Sequence, residues 1–171
     1  MEHRELTLGV LKRAREILSD PARWTKYVYA RVPGTDDEYD NMDLIAHPDA
    51  TCFCGLGALG RAAVELSGQA GLSPAYDLDT SAESVLLEDD GSLPMTEQEL
   101  ASLYASRELR ITLLRSGRVQ PPKWYKAPPE VTEMYLLNWI PFPIFNDHPD
   151  TTHADLLAVF DETIARLEAT A

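Results

Sequence analysis

The sequence predicts a mainly α-helical protein, a compact bundle of four or five helices with a small β-hairpin or paired extended segments. Apolar residues recur at helical spacing in four segments of the chain, and two of those segments open with a capping-box motif. Hydrophobic residues make up 44% of the 171 positions, which is enough for one buried core. We therefore expect one domain over residues 1–171, with an acidic insertion at 73–94 and a proline-rich connector at 120–129.

The first predicted helix is followed by an extended segment. Asp20-Pro21 ends this helix or caps a successor, because proline fits the first turn of a helix but not its interior. Residues 24–32 (WTKYVYARV) alternate large apolar and polar side chains, which favours a strand, and residues 33–36 are typical of a turn. We therefore expect the small β-structure near residues 24–32. The apolar face of the first helix consists of Leu6, Val10, Ala14, Ile17 and Leu18.

Three further helices are predicted along the chain. The second extends over residues 54–70, with apolar positions alternately three and four apart. Thr96 with Glu99 opens the third helix, and Thr152 with Asp155 opens the fourth, each with the spacing of a capping box. The expected core-facing residues are Leu100, Leu103, Tyr104, Ile111 and Leu114 in the third helix, and Leu157, Phe160, Ile164 and Leu167 in the fourth.

The overall charge excludes two classes of function. The chain carries 28 Asp and Glu against 15 Lys and Arg, a net charge of −13. Sequence-independent binding to nucleic acid draws its affinity from phosphate neutralisation by Lys and Arg, so we expect no direct nucleic-acid contact. The same deficit of basic residues argues against a polybasic attachment to a membrane surface.

The charge is also distributed in blocks. Residues 32–60 hold six acids and no base, residues 73–100 hold eight acids and no base, and bases concentrate in residues 1–31 and 101–130. We expect the basic blocks to pair with acids of the same molecule, which leaves one or two acidic faces. Such a face would contact a protein partner that has a basic surface. The candidate binding residues are Asp36, Asp37, Asp40, Glu88, Asp89 and Asp90.

The sequence favours a cytoplasmic protein without a membrane segment. Residues 1–31 have a charge every few positions and so lack the apolar core of a secretory signal. The longest uncharged stretches are shorter than the ~20 apolar residues that a membrane helix needs. Only Cys52 and Cys54 are present, and their spacing is poor for an unstrained disulfide, which favours a reducing compartment.

A glycine motif at residues 55–60 (GLGALG) matches the dinucleotide-binding fingerprint. That fingerprint requires a buried strand directly before the first glycine, whereas residues 43–51 contain a proline and two acids. We therefore expect no cofactor at this motif. The glycines are better explained by close packing of the second helix against a neighbour.

The two cysteines raise the hypothesis of a catalytic thiol. They lie at or just before the start of the second helix, a setting in which reactive cysteines occur. A nucleophilic thiol needs a base, which His148 or His153 could supply, although a buried cysteine more often packs as a small apolar residue. The spacing of the histidines and cysteines meets no standard zinc signature, so no metal site is expected.

Three segments together resemble an uncharacterised family of small proteins from bacteria and their phages. The segments are residues 18–31 (LSDPARWTKYVYAR), 50–61 (ATCFCGLGALGR) and 144–167 (IFNDHPDTTHADLLAVFDETIARL). The resemblance implies a small, mostly helical domain with no established activity, and it assigns no catalytic or binding residues. The matching positions are Trp24, Thr25, Cys54, Gly57, Ala58, Leu59, Asn146, Asp147 and Thr152.

Three functional hypotheses follow from these observations. The first is a non-enzymatic protein that binds a basic partner through its acidic residues, and helical stripes also allow a homodimer. The second is a cysteine-dependent hydrolase or transferase that uses Cys52 or Cys54 with His148 or His153. The third, suggested by the resemblance to phage proteins, is an acidic inhibitor that imitates the charge of DNA.

Overall fold

The described residues form six α-helices and a two-stranded sheet. The computed structural model describes residues 2–34, 42–73, 76, 95–119 and 142–170. The predicted fold class is confirmed, with six helices in the described residues rather than four or five. The helices are α1 (Glu2–Ile17), α2 (Asp43–Ala46), α3 (Gly55–Ser67), α4 (Glu97–Arg115), α5 (Phe142–Asp147) and α6 (His153–Ala169), and the strands are β1 (Ala30–Arg31) and β2 (Cys52–Phe53).

The helix starts follow their local sequence motifs. Both predicted capping boxes are confirmed: Thr96 accepts from the Glu99 amide, and Thr152 accepts from the Asp155 amide, with the reciprocal bonds present. The hydrogen bonds from Thr152 also lower the pKa of Asp155. A short 3-10 helix (Pro21–Arg23) is capped by Asp20, as the Asp20-Pro21 step predicted. These motifs therefore set where α4 and α6 begin.

Helix α4 lies at the centre of the bundle, where it contacts α1, α3 and α6. Because it is covered on several sides, its buried residues do not form a single stripe. Leu103 and Ile111 are buried as predicted, whereas Leu100, Tyr104 and Leu114 are only half-buried. The periodicity missed the fully buried Leu109 and Leu113, and also the buried small residues Ala101, Ser102, Ala105 and Ser106.

Helix α6 buries a face one position away from the predicted one. Leu156, Val159, Phe160 and Thr163 are buried. Of the predicted residues only Phe160 belongs to this set, while Leu157, Ile164 and Leu167 are half-buried and pack on the edge of the core. The predicted face is wrong because a polar residue, Thr163, occupies a buried position where the pattern expects an apolar one. Its hydroxyl donates to the Thr112 hydroxyl of α4 at 2.7 Å.

The expected β-structure near residues 24–32 is confirmed, but the strand is shorter. β1 pairs antiparallel with β2, with Ala30 opposite Phe53 and Arg31 opposite Cys52. Phe53 also forms a parallel bridge with Trp24, so it is bonded to both ends of the segment from Trp24 to Ala30. Tyr27 interrupts the extended backbone with a left-handed φ of 69°. The pairing therefore creates a loop beside the first turn of α3 rather than a continuous strand.

Several sequence predictions lie outside the described residues. These are the proline-rich connector, most of the acidic insertion, and all six candidate acids: Asp36, Asp37, Asp40, Glu88, Asp89 and Asp90. No helix in the described ranges combines the length and the apolar character needed to cross a membrane.

Candidate functional site

The side-chain amide of Asn146 joins the three motif segments of the sequence. Its Oδ1 accepts hydrogen bonds from Trp24 Nε1 and from the backbone N–H of Gly55, both at 3.1 Å. Its Nδ2 donates to the carbonyl of Thr25 at 3.3 Å and to Asp147 Oδ1 at 2.8 Å. Asn146 is only 1% exposed, and these four bonds satisfy both lone pairs and both donors of the amide. One buried residue therefore fastens α5, the loop at Trp24 and the start of α3 together.

Asp147 holds the loop from the other side. Its Oδ1 also accepts from the backbone N–H of Tyr27 at 2.8 Å. Tyr27 has a left-handed backbone, which costs a non-glycine residue about 1–3 kcal/mol and therefore needs such support. The tyrosine side chain is 66% exposed, so the loop presents a large aromatic ring to solvent. The second carboxylate oxygen of Asp147 makes no hydrogen bond within the described part of the chain.

Lys26 secures the segment that follows α5. Its ammonium group donates to the carbonyls of His148 at 2.6 Å and Thr151 at 2.8 Å, and it lies 5.0 Å from the centre of the Trp24 ring. The charge of Lys26 is therefore satisfied by backbone oxygens and by an aromatic face. It belongs to the same network that holds Asn146 in place.

Cys54 caps helix α3. Its Sγ accepts from the backbone N–H of Gly57 at 3.3 Å, and the residue is 8% exposed. A side chain at Gly57 would collide with the backbone carbonyl of Tyr29, and one at Gly55 would collide with the ring of Phe142. The close-packing interpretation of the glycine motif is therefore confirmed. At these two glycines the first turn of α3 packs directly against the Phe142 ring and the Tyr29 carbonyl.

A cavity of about 120 Å³ lies beside this network. Its polar walls come from Asn146, Asp147 and Cys54, and its apolar walls come from α3, α5 and the loop of Tyr27. The remaining lining residues are Tyr27, Val28, Tyr29, Leu56, Phe142 and Pro143.

The structure places the other candidate catalytic residues around this network. Cys52 is half-buried, with its Sγ 3.6 Å from the Thr51 hydroxyl. His153 Nε2 lies 2.7 Å from the carbonyl of Leu18, and its ring packs 5.8 Å from the Trp24 ring. His148 is exposed, and its Nδ1 accepts from the Asp150 amide. The pairing of a cysteine with a histidine thus stays a hypothesis.

Metal ligands are not clustered in the described residues: no group of three or more His, Cys, Asp or Glu side chains there has the arrangement to hold an ion. The central role of Asn146 was missed by reasoning on spacing, because its partners Trp24 and Gly55 lie 122 and 91 residues away. The signal that pointed to it was the family resemblance, which includes Asn146, Asp147 and Trp24.

Fold and site together define a small helical protein in which distant motif segments are bonded around one buried amide. The chain belongs to a family of unknown function (DUF6197), whose model matches residues 3–166. This finding confirms the resemblance to an uncharacterised family, and all three motif segments lie inside the matched range, apart from the last residue of the third. Comparisons with curated proteins and with solved structures give no match.

The basic side chains of the described residues are largely paired within the molecule. Glu65 of α3, for example, forms two ion pairs. Its carboxylate oxygens lie 2.7 Å from Arg13 Nε and 2.8 Å from Arg61 Nε. Burial alone raises the pKa of Glu65, but the hydrogen bonds from Arg61 and Arg13 outweigh it and hold the pKa below its ordinary value. Between described residues, the Lys and Arg ion pairs include Lys12–Glu168, Arg13–Glu16, Arg13–Glu65, Arg15–Asp161, Arg61–Glu65, Arg107–Glu108, Arg118–Glu162 and Arg166–Glu108.

Proposed function

We propose that this protein is a non-enzymatic binding protein that recognises a partner with a basic surface. The contacts come from the acids of segments 36–43 and 77–90. The observation that supports this is the charge pattern of the sequence: residues 32–60 and 73–100 together hold 14 acids and no Lys or Arg.

The charge balance leads to the same proposal. With 28 acids and 15 bases, at least 13 acids lack a basic partner of their own even if every base forms one pair. The internal pairs take their acids from α1, α3, α4 and α6. Residues 32–60 and 73–100 supply 14 of the 28 acids and none of the 15 bases, so they are the most negative stretches of the sequence. Such attraction speeds association and weakens as salt screens it.

A capture experiment with matched charge variants tests this proposal. One triple variant carries Asp36→Asn, Asp37→Asn and Asp40→Asn, and a second carries Glu88→Gln, Asp89→Asn and Asp90→Asn. We expect at least one of them to lose a basic protein that the wild type retains at low salt and releases at high salt. Equal capture by the wild type and both variants would refute the proposal. The matched control changes three exposed acids outside both acid-only blocks, Glu5→Gln, Asp150→Asn and Glu168→Gln.

Competition with DNA separates two versions of this function. If the protein imitates the charge of DNA, duplex DNA and this protein will exclude each other from the captured partner. If it is an adapter, the captured partner will bind duplex DNA no more weakly in its presence. Both versions require the same acidic residues.

A cysteine-dependent hydrolase or transferase is the second candidate, and the position of Cys54 favours it. The thiol caps α3 and accepts a hydrogen bond from the backbone N–H of Gly57. It also lines the 120 Å³ cavity together with Asn146 and Asp147. Rapid stoichiometric labelling by iodoacetamide at neutral pH, lost in Cys54→Ser or Cys52→Ser, would support a reactive thiol. Labelling that requires denaturation would end this candidate, together with its proposed bases His148 and His153.

A further inference from the structure

We propose that the cavity beside Asp147 receives an arginine side chain of the basic partner. This inference rests on the proposed function and adds to it one specific anchoring contact. The cavity is lined by Asp147, by the exposed ring of Tyr27 and by apolar side chains of α3 and α5.

The size of the cavity limits what can occupy it. Its volume is about 120 Å³. Sites for cofactors and other small molecules usually enclose ~300–1,000 Å³. The cavity is thus too small for a nucleotide and suits the end of a single side chain.

The charge of the cavity favours a cation. Oδ1 of Asp147 is already occupied by the Tyr27 amide and by Asn146, whereas Oδ2 has no partner in the described part of the chain. Lys26, the adjacent basic residue, donates to the carbonyls of His148 and Thr151 and forms no ion pair with Asp147. A cation that enters the cavity would therefore lie beside a carboxylate that has one oxygen without a hydrogen bond to the described residues.

The rim and walls favour arginine over lysine. A guanidinium group is planar and weakly hydrated and stacks on aromatic rings, which the 66% exposed Tyr27 offers at the edge of the cavity. The apolar walls formed by Leu56, Phe142 and Pro143 would contact the methylene stem of the same side chain. Support of the left-handed Tyr27 backbone by Asp147 keeps the ring and the carboxylate together.

An NMR titration of the full chain tests this inference. The probe is acetyl-Ala-Arg-Ala-amide, and the controls are the same peptide with citrulline, which is neutral, and with lysine. We expect the arginine peptide to shift the backbone amide signals of Tyr27 and Gly55, and the citrulline peptide to leave them unchanged. Asp147→Asn keeps the size of the side chain, and we expect it to weaken arginine binding by about tenfold or more.

A second variant keeps the test valid if Asp147→Asn disturbs the fold. Tyr27→Gly removes the ring and suits the left-handed backbone, so it should fold normally and bind the arginine peptide several-fold more weakly. Equal binding of the citrulline or lysine peptide, or shifts that lie elsewhere, would overturn the inference. So would arginine binding that neither variant weakens.

The inference and the proposed function can fail separately. If the arginine peptide does not bind but capture still depends on the acids of segments 36–43 and 77–90, only the arginine site is wrong. If the peptide binds at Asp147 but the charge variants capture every partner normally, the proposed function is wrong.

Discussion

Replacing Asn146 by alanine should remove more stability than any other single polar substitution at this site. The change deletes four hydrogen bonds and leaves the N–H groups of Trp24 and Gly55 and the carbonyl of Thr25 without their partner. Each such bond contributes about 1 kcal/mol, and an unsatisfied buried group costs about 1–3 kcal/mol. Allowing for water entry, we expect a loss of about 3–5 kcal/mol, a large part of the ~5–15 kcal/mol typical of a domain.

Urea unfolding followed by far-UV circular dichroism measures this loss. The matched control is Gln69→Ala, which also removes an amide but at an exposed position just after α3, and it should change stability by less than ~0.5 kcal/mol. The difference in unfolding free energy follows from the two midpoints and their shared slope. A loss below about 1 kcal/mol for Asn146→Ala, close to the control, would refute the view that this amide joins the three segments.

The substitution Asn146→Asp tests the same network through pH. It keeps an acceptor for Trp24 and Gly55 but places a second carboxylate against Asp147, whose Oδ1 now lies 2.8 Å from Nδ2. Two carboxylates at that distance raise one pKa, because both cannot ionise cheaply. A carboxyl group whose pKa is raised in the folded state stabilises the folded state at low pH. This stabilisation is lost as the pH rises through the raised pKa. The stability of the variant should therefore be closer to that of the wild type at pH 4 than at pH 7.

Three further predictions concern α3 and the helix caps. Gly57→Ala should destabilise by about 2 kcal/mol or more, because its Cβ would collide with the Tyr29 carbonyl, whereas Gly9→Ala, with open space in α1, should stabilise by about 0.5–1 kcal/mol. Urea midpoints check both, and equal effects would contradict the packing account. Glu65→Gln should cost about 1–2 kcal/mol at pH 7. Because the pKa of Glu65 is lowered in the folded protein, this difference in stability should shrink as the pH falls below the ordinary pKa of a glutamate. Melting temperatures measured across a pH series check this. Thr152→Ala should cost about 1 kcal/mol by loss of the capping box, and an unchanged melting temperature would contradict it.

The fold could be predicted where its causes are local. The capping boxes at Thr96 and Thr152 were found to the residue, since each depends on two side chains three positions apart. The buried faces were harder to predict. Helix α4 is covered on several sides and shows no single stripe, and α6 buries Thr163 because another hydroxyl, on Thr112, lies opposite.

Helix α5 shows how a proline is accommodated in a short helix. It begins at Phe142 with Pro143 in its first turn. Proline fits that turn because the first N–H groups of a helix have no internal partner.

The site was predictable only in part. Cys54 was expected at the start of α3, and it caps that helix. That Asn146 would reach Trp24 and Gly55 depends on contacts across more than ninety positions, and nothing in the local spacing encodes them. The family motifs marked these residues without indicating that they bond to one another.

The most direct test of the proposed function is the affinity for a purified partner from the capture experiment, measured across a series of salt concentrations. The wild type should bind more weakly as salt rises, and the triple variants at 36–40 or 88–90 should bind more weakly at low salt and depend less on salt. The control with Glu5, Asp150 and Glu168 changed should stay close to the wild type. Identical affinities and identical salt dependence for all four proteins would contradict the proposal that the acid-only segments recognise a basic partner.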